Sequence, residues 1–422
     1  MPFGSLISAC SDREQATAPK PTGNPYEGTN EQLLDEIQRA SFKFFWDEAS
    51  PNTGQVKDRA TTDGKDQRRM ASIAATGFGL ASLCVADSRG YMDSAQIKER
   101  VRKTLDFIAN KQPNEHGFFY HFIDMETGAR WEKCELSSID SSILFCGVLT
   151  ARQHFDDQQI KDLATIIYER ADWPWFQNGE KTLSMGWHPE KGFLEARWNH
   201  YCELMMIYLL GIGSPTHPLA PDTWEAWTRP TIKYKGLEYI SGNDPLFTHQ
   251  YSHAWYDFRN KRDKYANYYK NSVTATKAHK LFCLSLRDKY PTYSEDLWGI
   301  TASDYVNGYT AWGGPPPQGP IDGSVVPCAT GGSLPFLFDD CIRVLRTIRG
   351  KYGDKAWNRY SFVDAFNPMT NWYNKDVLGI DIGITMLMAE NQRTGSVWQT
   401  FMKNPEAQAA MHKVGFEAEK SA

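Results

Sequence analysis

Two kinds of helical segment alternate along this chain, and that alternation constrains the fold more than any other feature. Segments 94–111 and 158–171 are charged on one face and apolar on the other. Segments 136–153, 197–211 and 377–391 are apolar nearly all round. A helix with a single apolar stripe lies on a surface, whereas one apolar on every side must be enclosed. The expected fold is therefore all-α: a toroid of two concentric helical rings with long loops over a central cleft. The helical spacing starts after Glu31, with Leu33, Leu34, Ile37, Ala40, Phe44 and Phe45. Further helices are expected near 71–87, 222–234, 268–288, 333–350 and 396–403. No alternating run supports a large sheet, and short strands are expected only near 117–122 and 192–194. Residues 1–28 read as an N-terminal tether and 29–422 as one domain.

Two loops, 239–265 and 292–332, are dense in Trp, Tyr, His, Asp, Gly and Pro. Long loops in a compact domain are usually functional. The chain has 14 Trp and 20 Tyr, an excess that suits stacking on sugar rings. A formal charge of -5 on 422 residues gives no basic footprint for nucleic acid. No stretch of about 18 apolar residues is present, so no membrane span is expected. The eight cysteines form no Cys-x-x-Cys pair, which argues against zinc. Cys146 and Cys202 sit in apolar segments and read as buried thiols. Cys10 follows Leu6-Ile7-Ser8-Ala9, a lipoprotein-like box without a basic, apolar leader upstream. It is a candidate lipid site, and with it the expected location is periplasmic or anchored to the outer membrane.

The carboxylates with the least ordinary settings lie at the starts of the apolar segments. Glu135 precedes one, with Ser137 or Ser138 as N-cap, and Asp140 lies a turn inside it. A helix start favours the ionised form of a carboxylate placed there. The alternative reading is a pair of simple caps, which leaves Asp140 inside an apolar helix unexplained. Glu203 is flanked by Tyr201, Cys202 and Leu204–Leu210, and enclosure of that kind raises a carboxyl pKa, as a general acid requires. A core ion pair with Arg197 is the plainer alternative. Asp381 again opens an apolar helix, as a second catalytic group or a substrate ligand. Glu390 reads as a partner of Arg393. Arg197, Trp198, His249, Tyr251, His253, Asp304, Tyr309, Trp312 and Asp322 are the candidate sugar-binding residues. His249 and His253 share a helical face, yet no third ligand has metal spacing. No metal or cofactor is expected.

Several motifs then fall in order: Trp298-Gly299-Ile300-Thr301-Ala302-Ser303-Asp304, Gly331-Gly332-Ser333-Leu334-Pro335-Phe336, Phe362-Val363-Asp364-Ala365-Phe366-Asn367 and Gly379-Ile380-Asp381-Ile382-Gly383. With His249–Arg259 and Glu390–Gly395, they resemble the bacterial glucoamylase-like domain over about residues 30–416. Within it the chain resembles glycoside hydrolase family 144, the β-1,2-glucanases. The resemblance implies an (α/α)6 barrel, inversion at the anomeric carbon, and activity carried by Glu135, Asp140 and Glu203. The expected activity is endo cleavage of β-1,2-glucan into sophoro-oligosaccharides, and the expected state is a monomer. The competing expectations are exo release of sophorose and a surface glycan-binding lipoprotein without turnover.

Overall fold

A computed structural model describes residues 23–419 except position 244. Cys10 and most of the expected tether lie outside the described residues. Residues 23–28 lie against the body: Gly23 N–H donates to the Lys351 carbonyl, and the Tyr26 hydroxyl donates to Glu36 at 2.8 Å.

Helices run in the order α1 (Asn30–Asp47), α2 (Ile73–Arg89), α3 (Ser94–Asn110), α4 (Ser138–His154) and α5 (Gln158–Glu169). Then come α6 (Trp173–Gln177), α7 (Met205–Gly213), α8 (Tyr251–Trp255), α9 (Tyr268–Ser285) and α10 (Pro327–Gly331). The chain closes with α11 (Phe338–Lys351), α12 (Gly353–Ala356), α13 (Gly379–Arg393), α14 (Ser396–Phe401) and α15 (Pro405–Lys413). Helices α2, α4, α7, α8, α10 and α13 are buried along nearly their whole length. Helices α1, α3, α5 and α11 bury one face each, as outer helices do. This is the all-α (α/α)6 toroid expected from the alternation of helix types.

Two glycines let the inner ring close. Gly77 of α2 and Gly147 of α4 face each other, and a Cβ on Gly147 would run into the Gly77 carbonyl. Without side chains there, the two backbones touch.

Short strands set the ends of the inner helices. Met70–Ser72 leads into α2, Leu136–Ser137 into α4, and Asp376–Leu378 into α13. They pair antiparallel with Phe122–Asp124, Gly186–His188 and Arg59–Thr61 respectively. Ser72 and Ser137 then cap their helices by accepting from Ala75 N–H and Asp140 N–H. The pairing holds three inner-helix N-termini at one end of the toroid.

Three expectations change. Residues 197–204 are not helical; their backbone bonds run to neighbouring loops, as when Trp198 N–H donates to the Leu183 carbonyl and Tyr201 N–H to that of Thr228. Glu203 therefore sits in the turn before α7, half-buried, and not within an apolar helix. Segment 222–234 is a 3-10 turn, Pro221–Glu225, followed by a hairpin of Thr231–Tyr234 and Leu237–Ile240. Lys235 and Gly236 take positive φ at its turn, the geometry of a tight hairpin. Glu390 pairs with Arg89 at 2.9 Å, while Arg393 pairs with Glu31. The seven described cysteines are free, and Cys146 and Cys202 are buried. No described helix is long and apolar enough to cross a membrane.

Candidate active site

A cavity of about 380 Å³ opens at the end of the toroid where the strands lead into the inner helices. Its walls are Asp58, Arg59, Ala74, His121, Phe122, Ile139, Asp140, Ile143, Glu203, Phe247, Tyr251, Ala302, Tyr309, Leu378 and Ile380. Three carboxylates, Asp58, Asp140 and Glu203, thus share one space with an aromatic and aliphatic lining. Such a mixture suits a polar ligand with apolar faces.

His121 organises one wall. Its Nδ1 lies 2.8 Å from Glu135 Oε1 and its Nε2 3.5 Å from Asp140 Oδ1. Burial opposes the charged ring, but the carboxylates of Asp140, Glu135 and Asp58 prevail and push its pKa up to about 9. The ring is therefore an imidazolium at neutral pH, stacked on Phe122 with centroids 3.8 Å apart. Its hydrogen bond holds the Glu135 carboxyl below the usual range. Burial pushes Asp140 up, against the attraction of His121 and the Ser137 hydroxyl, which donates to Asp140 Oδ2 at 2.5 Å. Among the described residues, His121, Glu135 and Asp140 alone group ligand atoms within 4.8 Å of one another. A metal there would need the neutral imidazole, which the two carboxylates disfavour.

Arg59 organises a further part of the lining. Its Nε donates to Asp58 Oδ2 and its Nη1 to Asp304 Oδ2, both at 2.8 Å. Asp304 belongs to a hairpin of Ser303–Tyr305 and Gly308–Thr310, and Tyr309 is its register partner. The same ion pair that holds Asp58 therefore ties this hairpin down, and the hairpin brings the half-exposed Tyr309 to the cavity.

Of the residues singled out in the sequence, Asp140, Glu203, Tyr251 and Tyr309 line the cavity. Glu135 stands behind His121, and Asp304 behind Arg59. Asp381 lies beyond Leu378, in a small adjoining cavity with Asp364 and Cys328. The others do not reach the cavity, and each has a packing role. Arg197 donates to the Gln177 and Thr182 carbonyls and braces the loop between them. Trp198 Nε1 donates to Ser138 Oγ at 2.8 Å, and Trp312 Nε1 to Ser303 Oγ at 3.0 Å. His249 and His253 are enclosed, facing Tyr201 and Ser272, and burial pushes each pKa down to about 3. Asp322 accepts from Ser324 N–H in a turn.

Asp58, Arg59, His121, Phe122 and Phe247 escaped the sequence reading as site residues. His121 sits within a stretch already marked as strand. Its neighbours in space, Glu135 and Asp140, are a separate motif, so only the pairing of strands unites them. Arg59 opens, and Asp58 precedes, the strand that meets Asp376–Leu378, a partner more than 300 positions away, and nothing local marks them.

A toroid whose inner-helix starts surround a carboxylate-lined, aromatic cavity defines the glucoamylase-like class of (α/α)6 proteins. The Glycoamylase family model, described as "Putative glucoamylase", matches residues 195–405, half of the chain, and the chain belongs to that family. An exo beta-1,2-glucooligosaccharide sophorohydrolase (non-reducing end) of Parabacteroides distasonis is 29% identical over 431 residues, covering 92% of this chain. The chain spans 58% of that relative's length. The crystal structure of an endo-beta-1,2-glucanase from Chitinophaga pinensis, in complex with sophorotriose and glucose, superposes with a TM-score of 0.86. It is 28% identical over 92% of this chain and 99% of its own. A beta-1,2-glucanase from Parabacteroides distasonis superposes equally well, TM-score 0.86, at 27% identity over 92% of this chain and 60% of its own. These relatives are of the glycoside hydrolase family 144 kind that the motifs resemble.

Proposed function

We propose that this protein hydrolyses β-1,2-glucans within the 380 Å³ cavity, by inversion at the anomeric carbon. One observation carries the reading: Asp140 and Glu203, from separate inner-helix starts, face one space lined by Phe122, Phe247, Tyr251 and Tyr309. Hydrolysis with inversion needs one carboxyl that protonates the leaving oxygen and one carboxylate that activates water on the opposite face. Glu203 donates the proton. Asp140, or Asp381 beyond Leu378, activates the water. The aromatic rings hold the pyranose faces, and the imidazolium of His121 keeps the Glu135–Asp140 wall in one arrangement.

The linkage comes from the relatives, which act on β-1,2-glucans and their oligosaccharides. Endo cleavage into sophoro-oligosaccharides is the favoured mode, because the endo-glucanase from Chitinophaga pinensis matches along almost its full length. Exo release of sophorose is the second reading, favoured by the sophorohydrolase relative. The deciding experiment incubates purified protein with linear β-1,2-glucan. An early ladder of sophoro-oligosaccharides supports endo action, and sophorose alone supports exo action. Binding with no new reducing ends leaves a glycan-binding protein. Early products in the α-anomeric form, seen by NMR, support inversion, and β products would refute it.

A further inference from the structure

Leu378 borders both the large cavity and the small one that holds Asp364 and Asp381. Both carboxyls are nearly shut from solvent, at 3% and 6% exposure. Asp364 Oδ2 accepts twice, from Asp304 N–H at 2.7 Å and from Asn374 Nδ2–H at 3.1 Å. Its other oxygen, Oδ1, has no donor facing it, and neither has Asp381 Oδ2. The two carboxyl groups line the same small cavity, close enough for each to shift the other's protonation. A hydrogen bond between two carboxyl groups requires a proton on one of them. A buried carboxylate with an unpartnered oxygen is costly, and two of them so close are more so.

We propose that Asp364 is a positioning residue that stays protonated at neutral pH and donates its Oδ1 proton to Asp381, so that the pair carries one negative charge beside Leu378. The proton belongs on Asp364 because of the donors around it. Its Oδ2 accepts from two N–H groups, as a carbonyl oxygen does, which leaves Oδ1 to carry the hydrogen. Asp381, by contrast, meets the Cys328 thiol and the positive field of Arg59. The other charged or titratable groups facing the pair are Asp304 and Tyr309 of the hairpin and Tyr251 of α8. Burial pushes Asp364 well above the usual carboxyl range, with Asp381 adding to it. Burial also raises Asp381, but the hydrogen bonds from Asp364 and Cys328 and the charge of Arg59 limit it to about 6. The proposal gives Asp364 the donor and acceptor set of an amide: one oxygen that accepts twice and one group that donates.

The test compares Asp364→Asn and Asp364→Ala in the full chain. Asparagine reproduces the pattern, accepting through its oxygen and donating to Asp381 through its nitrogen. The first readout is infrared difference spectroscopy at neutral pH, which does not depend on any activity. Wild type minus Asp364→Asn should show the carbonyl band of a protonated carboxyl and no loss of carboxylate bands. Loss of carboxylate bands instead would show Asp364 ionised and overturn the proposal. The second readout rests on the glucanase reading with Asp381 acting on the water, and follows kcat/KM on β-1,2-gluco-oligosaccharides against pH. Asp364→Asn should keep the acid limb in place. Asp364→Ala, which removes the donor, should move that limb to higher pH by about one unit, a tenfold loss at its foot. A folded Asp364→Asn protein with no activity, or an Asp364→Ala limb that does not move, would overturn the positioning role. If wild type shows no hydrolysis, the glucanase reading falls and the infrared result decides alone.

Discussion

His121 Nδ1 lies 2.8 Å from the Glu135 carboxylate, and the far nitrogen of the same ring faces Asp140 at 3.5 Å. One cation thus joins two acids that stand on either side of the start of α4. The pairing sets the charge of the cavity wall and makes it depend on pH.

The His121 pKa of the folded protein, about 9, lies above the ordinary value of 6.5. A raised pKa means that the folded state binds the proton more tightly than the unfolded one. The stabilisation is complete below pH 6.5 and is lost as pH rises through about 9. Thermal melting at a series of pH values should show wild type losing stability across that window. His121→Gln should show a shallower loss. Parallel curves for the two proteins would refute the ion pair.

Glu203→Gln keeps the size and most hydrogen bonds of the side chain but cannot deliver a proton. Loss of general acid catalysis costs about 10²–10⁴-fold in rate. The variant should lose kcat by that order and still bind a sophoro-oligosaccharide in calorimetry. Full activity would remove Glu203 from the acid role.

Arg59→Met leaves Asp58 and Asp304 facing each other's region without their shared cation. Asp58 and Asp304 are 11% and 13% exposed and Arg59 is 23% exposed, so the pair is mostly but not fully desolvated. Breaking a buried pair costs about 3–5 kcal/mol, and solvent access places this case at or below the lower end. Urea unfolding measures it. Adding Asp304→Asn should cost less than the two single changes together, since both remove one interaction.

Gly147→Ala tests the closure of the inner ring. The new methyl meets the Gly77 carbonyl, so α2 and α4 must separate. Overpacking of this kind costs about 1–3 kcal/mol. Thermal melting should show the loss, and an unchanged midpoint would mean that the helices separate at no cost.

Tyr309→Ala removes a ring that covers the cavity from an exposed hairpin, at 50% exposure, and so carries little of the core. A tenfold rise in KM corresponds to about 1.4 kcal/mol of lost sugar contact. Steady-state kinetics should show a rise of that order with the melting temperature unchanged. An unchanged KM would place the substrate elsewhere.

Much of the toroid was legible because helix type is a local property. The stripe of α3 and the all-round apolar character of α4 can be counted from neighbouring residues. The stretch 197–204 misled because its apolar content comes from Trp198, Tyr201, Cys202 and Leu204, which are buried by loops and not by a helix. The hairpin at Thr231–Ile240 was missed because its alternation is short and its turn residues, Lys235 and Gly236, carry the signal. Among site residues, Asp140, Glu203, Tyr251 and Tyr309 reached the cavity, whereas His249, His253, Trp198 and Trp312 satisfied buried neighbours instead. Residue type alone does not separate these two fates, because a Trp or His with one polar atom serves either.

By itself the sequence determined the two classes of helix, hence the concentric rings, and it placed carboxylates at the starts of inner segments. Those are consequences of spacing over one or two turns. Only the tertiary structure decided which carboxylates share a space and what charge they carry. Arg59 meets Asp304 across 245 positions, and Asp364 shares a small cavity with Asp381. Burial and neighbouring charge set protonation, and both depend on chain segments that become neighbours only when the strands at the mouth of the toroid pair.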